Sequence, residues 1–143
     1  MNLKLNDSCP CGSGDVYPVC CGPYLDQGQS PDTAQRLMRS RYTAYVLQRE
    51  DYLLHTWHRS TRPEQFPLDQ EAVTKWLGLK IVRSEAGDHR DNEGLVEFVA
   101  RYKIGGTAQR LHETSRFVRE EGQWFYLDGR IATSKPKRKN QRD

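Results

Sequence analysis

All four cysteines of this 143-residue chain fall within thirteen positions, as Cys9, Cys11, Cys20 and Cys21. This run constrains the fold more than any other feature. The spacing is C-x-C, eight intervening residues, then C-C. Four thiols so close together can surround one ion of tetrahedral preference, and zinc is the default occupant of an all-thiolate site. Gly12, Ser13 and Gly14 suit a turn that brings the two pairs together, and Pro10 stiffens the first arm. Four protein ligands leave no open coordination position, so such a metal is structural. The alternatives are two disulfides, with three pairings, and an iron–sulfur centre. The first residues have no long apolar core of the kind a secretory signal requires. A reduced, cytoplasmic setting is therefore expected, which favours a metal over disulfides. A C-x-x-C redox pair is absent, and the adjacent pair does not match the common iron–sulfur spacings.

The run from Cys9 to Gly22 resembles the SEC-C motif, C-P-C-G-S-G followed by a terminal C-C or C-H pair. The resemblance implies a zinc knuckle associated with protein-partner contacts. It says little about activity, because the motif is an accessory module.

Three Trp, seven Tyr and four Phe argue for an ordered core. No stretch approaches the length of a membrane span. The formal charge of +3 is unevenly placed. Lys135, Lys137, Arg138, Lys139 and Arg142 face only Asp143 at the C-terminus, which leaves the rest of the chain slightly acidic. Contact with nucleic acid is thus expected, if anywhere, at the basic tail. The bland reading of that tail is a disordered, solubilising segment.

After the knuckle, a connector leads to Ser30 or Asp32 as competing helix caps, with a helix extending to about Gln48. Ala34, Leu37, Met38, Arg41, Tyr42 and Tyr45 share one face of it. A second helical piece is expected over Asp51 to Trp57 and a third over Gln70 to Trp76. The periodicity then changes to two. Strands are expected over Trp76–Glu85, Leu95–Ile104, Ala108–Glu120 and Trp124–Leu127, the last ending at Asp128-Gly129, with turns at Gly87–Gly94, Gly105-Gly106 and Glu121-Gly122. Helices followed by an antiparallel meander define an α+β class.

The runs Leu37–Tyr45, Tyr52–His58, Trp76–Leu79, Glu97–Arg101, His112–Phe117 and Gly122–Gly129 resemble the YchJ family of bacterial proteins. That resemblance implies a knuckle over residues 1–24, a nuclear-transport-factor-2-like domain over 25–132 and the basic tail over 133–143. It further implies helices packed on a curved antiparallel sheet that forms a cone, and pairing of two copies through their sheets. Some members carry a second C-terminal knuckle; the tail here contains no cysteine and is basic instead. The family supplies no reaction.

Alternation along the strands leaves two readings of the charged positions. Glu97, Arg101, Glu113 and Arg116 form exposed cross-strand pairs, or some of them line a pocket with Arg41, Tyr42, Trp57 and His58. The first functional reading is a cytosolic zinc-binding module that engages a protein through the knuckle or a small ligand in the pocket. The alternative is a small enzyme in which His58, oriented by Glu97 or Glu113, exchanges protons. His112 reads as a strand-pair residue, and His55 and His89 as solvent-facing.

Overall fold

The computed structural model describes residues 7–64 and 74–132. A 3-10 turn (Tyr17–Val19) is followed by helices α1 (Gly22–Asp26), α2 (Ala34–Val46) and α3 (Glu50–His55). Four strands follow: β1 (Thr74–Ala86), β2 (Glu93–Ile104), β3 (Thr107–Glu120) and β4 (Gln123–Ile131). The architecture is α+β. The basic segment 133–143 and most of the third helix expected over Gln70 to Trp76 lie outside the described residues. Trp76 itself belongs to β1.

The four strands pair antiparallel in sequence order, β1-β2-β3-β4. Each connection is a hairpin, so each strand lies beside its neighbour in the chain. At Gly105-Gly106 both φ angles are positive, +57° and +82°. This is the backbone that a two-residue turn between twisted strands demands.

The expected cone is corrected by this topology. The sheet is an open four-stranded meander with β1 and β4 as its outermost strands, and it does not curl or close; on the outer side of β4, Tyr126 exchanges backbone hydrogen bonds with Thr56 and His58. Hairpins in strict succession extend a sheet sideways, and no described strand returns to join the edges. The helices lie over one face instead of capping a funnel. Bulges interrupt β1 between Trp76 and Gly78 and between Ile81 and Arg83, where the local twist is re-aimed.

Helix α2 is capped by Thr33, whose hydroxyl accepts from the Arg36 amide at 3.1 Å. The cap is therefore neither Ser30 nor Asp32. The Asp32 carbonyl instead accepts from the buried Trp124 indole at 3.1 Å, tying the helix start to β4. The connector after the knuckle also contains the short α1. The core gathers between the helices and the inner sheet face, with Leu37, Leu53, Val96, Phe117 and Trp124 almost fully buried. Cys9, Cys11 and Cys21 belong to the same buried cluster. No helix among the described residues is long and apolar enough to cross a membrane.

Candidate metal centre and inner cavity

The loop over residues 9–21 is closed by backbone bonds, Cys9 N–H to Asp15 O at 2.9 Å and Cys20 N–H to Tyr17 O at 3.0 Å. These bonds turn both cysteine pairs toward one point. All four Sγ atoms lie within 4.8 Å of one another. Cys11 and Cys20 are 3.6 Å apart and Cys20 and Cys21 4.0 Å. Ion–sulfur bonds of about 2.3 Å in a tetrahedron place the sulfurs about 3.8 Å apart. The four side chains form a set that can hold a metal ion.

Their protons respond to this crowding. Cys11 ionises most readily, because Cys21 and Cys9 hydrogen-bond to its sulfur. Those same contacts, with burial, hold the Cys21 thiol up. Burial pushes Cys20 up to about 11. Removing the remaining protons places several negative charges within touching distance, which a central cation offsets.

Neighbouring side chains are already aimed at the sulfurs. The buried Thr43 hydroxyl donates to Cys21 Sγ at 3.4 Å and lies 3.7 Å from Cys9 Sγ. Ser13 Oγ is 3.1 Å from Cys20 Sγ. Arg39 reaches the Cys11 carbonyl at 2.9 Å and its sulfur at 3.9 Å. Thr43 and Arg39 stand on α2, so the cysteine loop is seated on that helix. A second tie runs through α1. Arg49 donates to Leu25 O and Asp26 Oδ1, and the Tyr17 hydroxyl donates to Asp26 Oδ2 at 2.8 Å.

The remaining candidate residues divide among three places. Arg41 and Tyr42 line a cavity of about 210 Å³ between α2 and the inner sheet face, together with Tyr45, Trp76, Glu113 and Tyr126. Arg41 is 3% exposed. Its Nη1 donates to Leu53 O at 2.8 Å and Thr56 Oγ1 at 2.7 Å. Its guanidinium lies over the rings of Tyr126 and Trp57, at 4.6 and 5.4 Å. Burial holds its pKa below the ordinary arginine value. Trp57 thus supports Arg41 from outside the cavity, edge-on to Tyr126.

His58 goes elsewhere. Its Nε2 is 2.9 Å from Glu120 Oε2, and its Nδ1 accepts from the Ser60 amide at 3.1 Å. The Glu120 carboxyl is held below its usual range by the His58 hydrogen bond. Neither Glu97 nor Glu113 partners His58. Glu97 is on the outer sheet face, where it accepts from Arg83 at 2.7 Å and lies 2.6 Å from His112. Arg116 forms a two-point pair with Asp128 at 2.7 and 2.6 Å. Arg101 is exposed. Glu97 and Arg116 thus pair across strands, but with Arg83, His112 and Asp128 and not with one another, Arg101 or Glu113.

Glu113 faces inward, opposite Phe98 in register. Ser115 Oγ donates to its Oε2 at 2.7 Å. Tyr45, Trp76 and Tyr126 join the cavity wall without being among the expected site residues. Tyr45 had a signal, since it shares the α2 face with Arg41 and Tyr42. The other two are ordinary strand aromatics until the register is known.

The fold and the cysteine site together define a SEC-C protein with an attached α+β domain. Residues 6–23 match the SEC-C motif and residues 33–129 match the family model described as YchJ, middle NTF2-like domain. The chain belongs to the YchJ family. A UPF0225 protein of Chromobacterium violaceum is 61% identical over 127 residues, covering 87% of this chain and 93% of the relative. Another, of Bordetella pertussis, is 52% identical over 136 residues, covering 90% and 99%. The solution structure of a SEC-C motif containing protein from Rhodopseudomonas palustris superposes with a TM-score of 0.75 at 34% identity, covering 87% of this chain and 98% of that one. A crystal structure of a SEC-C motif containing protein from Psychrobacter arcticus gives 0.67 at 29% identity, covering 90% and 85%.

Proposed function

We propose that this chain is a cytoplasmic binding protein whose four cysteines hold one structural zinc ion. The observation that carries the reading is the convergence of four Sγ atoms within 4.8 Å. The burial of three of the four cysteines supports it. Four thiolates around a divalent ion leave a net double negative charge, which Arg39 and the Thr43 and Ser13 hydroxyls moderate. With every coordination position filled by protein, the ion supplies structure and not a reactive centre. The binding role is that of a protein- or small-ligand-binding module, a reading favoured by an open inner cavity and a loop that exposes Val19. An enzyme centred on His58 is the weaker reading, because both ring nitrogens of His58 already have partners.

The test is elemental analysis of the full chain purified under reducing conditions, followed by chelation. One zinc per chain is expected, and its removal should lower the unfolding midpoint. A reduced chain without stoichiometric metal, or one whose stability ignores chelation, overturns the structural-zinc reading.

A further inference from the structure

The inner cavity contains two opposite charges that do not neutralise each other directly. Arg41 enters from α2, where burial disfavours its charge and the side chains of Tyr45, Tyr126 and Tyr52 favour it. Among the described residues, Arg41 forms no ion pair. Burying a cation without a counter-charge is costly unless something compensates. The Leu53 carbonyl, the hydroxyls of Thr56 and Tyr45, and two ring faces occupy part of the guanidinium. Its fork has five N–H donors, and the Nη1 contacts use only some of them.

Glu113 enters from the sheet, and its position is built. Ser115, itself 1% exposed, donates to Glu113 Oε2. A Cβ placed on Gly129 would lie 1.9 Å from that same oxygen. The missing side chain at 129 is therefore the space the carboxylate occupies. This also accounts for a difference from expectation. Asp128-Gly129 reads as the end of the last strand, yet β4 continues through it to Ile131.

Between the two charges the walls are largely aromatic and aliphatic. Burial holds the phenols of Tyr42 and Tyr126 up to about 12, so both stay neutral. A cavity of about 210 Å³ exceeds the roughly 150 Å³ of an apolar cavity that takes a benzene ring. There is room for a ring with one small polar group. A cationic ligand is disfavoured, because Arg41 already occupies the face of Tyr126. A purely anionic ligand would meet Glu113.

The geometry points to the inner cavity as a binding site for a small neutral aromatic amide. Its carbonyl accepts from Arg41, its N–H donates to Glu113, and its ring lies among Tyr42, Tyr45 and Trp76. This deepens the small-ligand branch of the reading above and is independent of the metal, so the two can fail separately.

The experiment is a heteronuclear NMR titration of the zinc-loaded full chain with benzamide, and in parallel with toluene, benzoate and benzylamine. Saturable shifts are expected for α2 and β3 residues around the cavity, with benzamide binding most tightly. Glu113→Gln keeps the shape and removes the charge, and should weaken benzamide about tenfold. Its effect on toluene should be negligible. Toluene matching benzamide would mean an apolar void only, and benzylamine or benzoate prevailing would mean the wrong polarity. No cavity shift with any probe, or unchanged benzamide affinity in Glu113→Gln, likewise overturns the inference. Zinc content and the dispersed spectrum of the free protein report on the metal reading independently.

Discussion

Replacing Thr43 by valine isolates what α2 contributes to the cysteine site. The hydroxyl has two neighbours capable of hydrogen bonding, Cys21 Sγ at 3.4 Å and Cys9 Sγ at 3.7 Å, and it is inaccessible to solvent. One hydroxyl proton serves one acceptor at a time, so a single donation to a thiolate is lost. Hydrogen bonds to charged acceptors contribute about 1.5–3 kcal/mol. Valine recovers part of this by not burying a polar group. A net loss of about 1.4 kcal/mol is expected, a tenfold weaker zinc complex, at the lower end for residues that orient metal ligands. Competition against a chromophoric zinc chelator at fixed pH measures it. The metal-free form supplies the control: without thiolates to hold, Thr43→Val should be neutral or slightly stabilising to denaturant. Unchanged zinc affinity would refute the argument. So would a stability loss equal in the metal-free and loaded forms, which would make Thr43 a packing residue.

Gly129→Ala should destabilise by about 1–2 kcal/mol, because its Cβ displaces Glu113 and breaks the Ser115 contact. In a Glu113→Ala background the same change should reverse sign, since glycine in a strand costs about 0.5–1 kcal/mol relative to alanine; urea denaturation of the four proteins measures both. Gly94→Ala should be worse, about 3 kcal/mol or more, because its Cβ meets the Gly87 backbone at 2.5 Å and cannot be relieved by a rotamer. Asp128→Asn tests the outer face. The Arg116 hydrogen bonds hold the Asp128 carboxyl below its usual range. A lowered folded pKa stabilises above the unfolded value and is lost as pH falls through the folded one. Both side chains are about half exposed, so the wild-type advantage should stay under about 1 kcal/mol at pH 7. It should fade below about pH 4 in acid denaturation of wild type and variant.

The strands were legible because alternation and glycine turns are local signals. Val96, Phe98 and Ala100 alternate along β2 and are all buried, and Gly105-Gly106 makes the expected turn. Sheet curvature was not legible, because it depends on how strands coil together and whether edges meet. The cysteine site was readable from spacing alone, since four soft ligands within thirteen positions have few other uses. Partner choice was not. Whether His58 faces Glu97, Glu113 or Glu120 depends on which strand passes it. The isolated bridge between Trp57 and Tyr126 brings it beside β4, close to the β3–β4 turn.

Helix α2 shows most directly why a periodic pattern under-reads this molecule. Its apolar stripe predicts one buried face, with Ser40, Thr43 and Arg39 toward water. Instead Ser40 and Thr43 are inaccessible and only Arg36 among its residues is exposed. The second face is covered by the cysteine loop, α1 and α3, and each polar side chain there has a defined partner. Ser40 donates to Leu37 O and meets the Tyr52 hydroxyl at 2.7 Å. Arg39 and Thr43, one turn apart, face the sulfurs. Arg41, Tyr42 and Tyr45 face the cavity on the other side. A polar residue buried without a partner would be costly, so these positions mark where other parts of the chain must dock. An amphipathic reading treats them as solvent-facing because the docking segments are short, irregular and held partly by the cysteine cluster, none of which carries a helical or strand period.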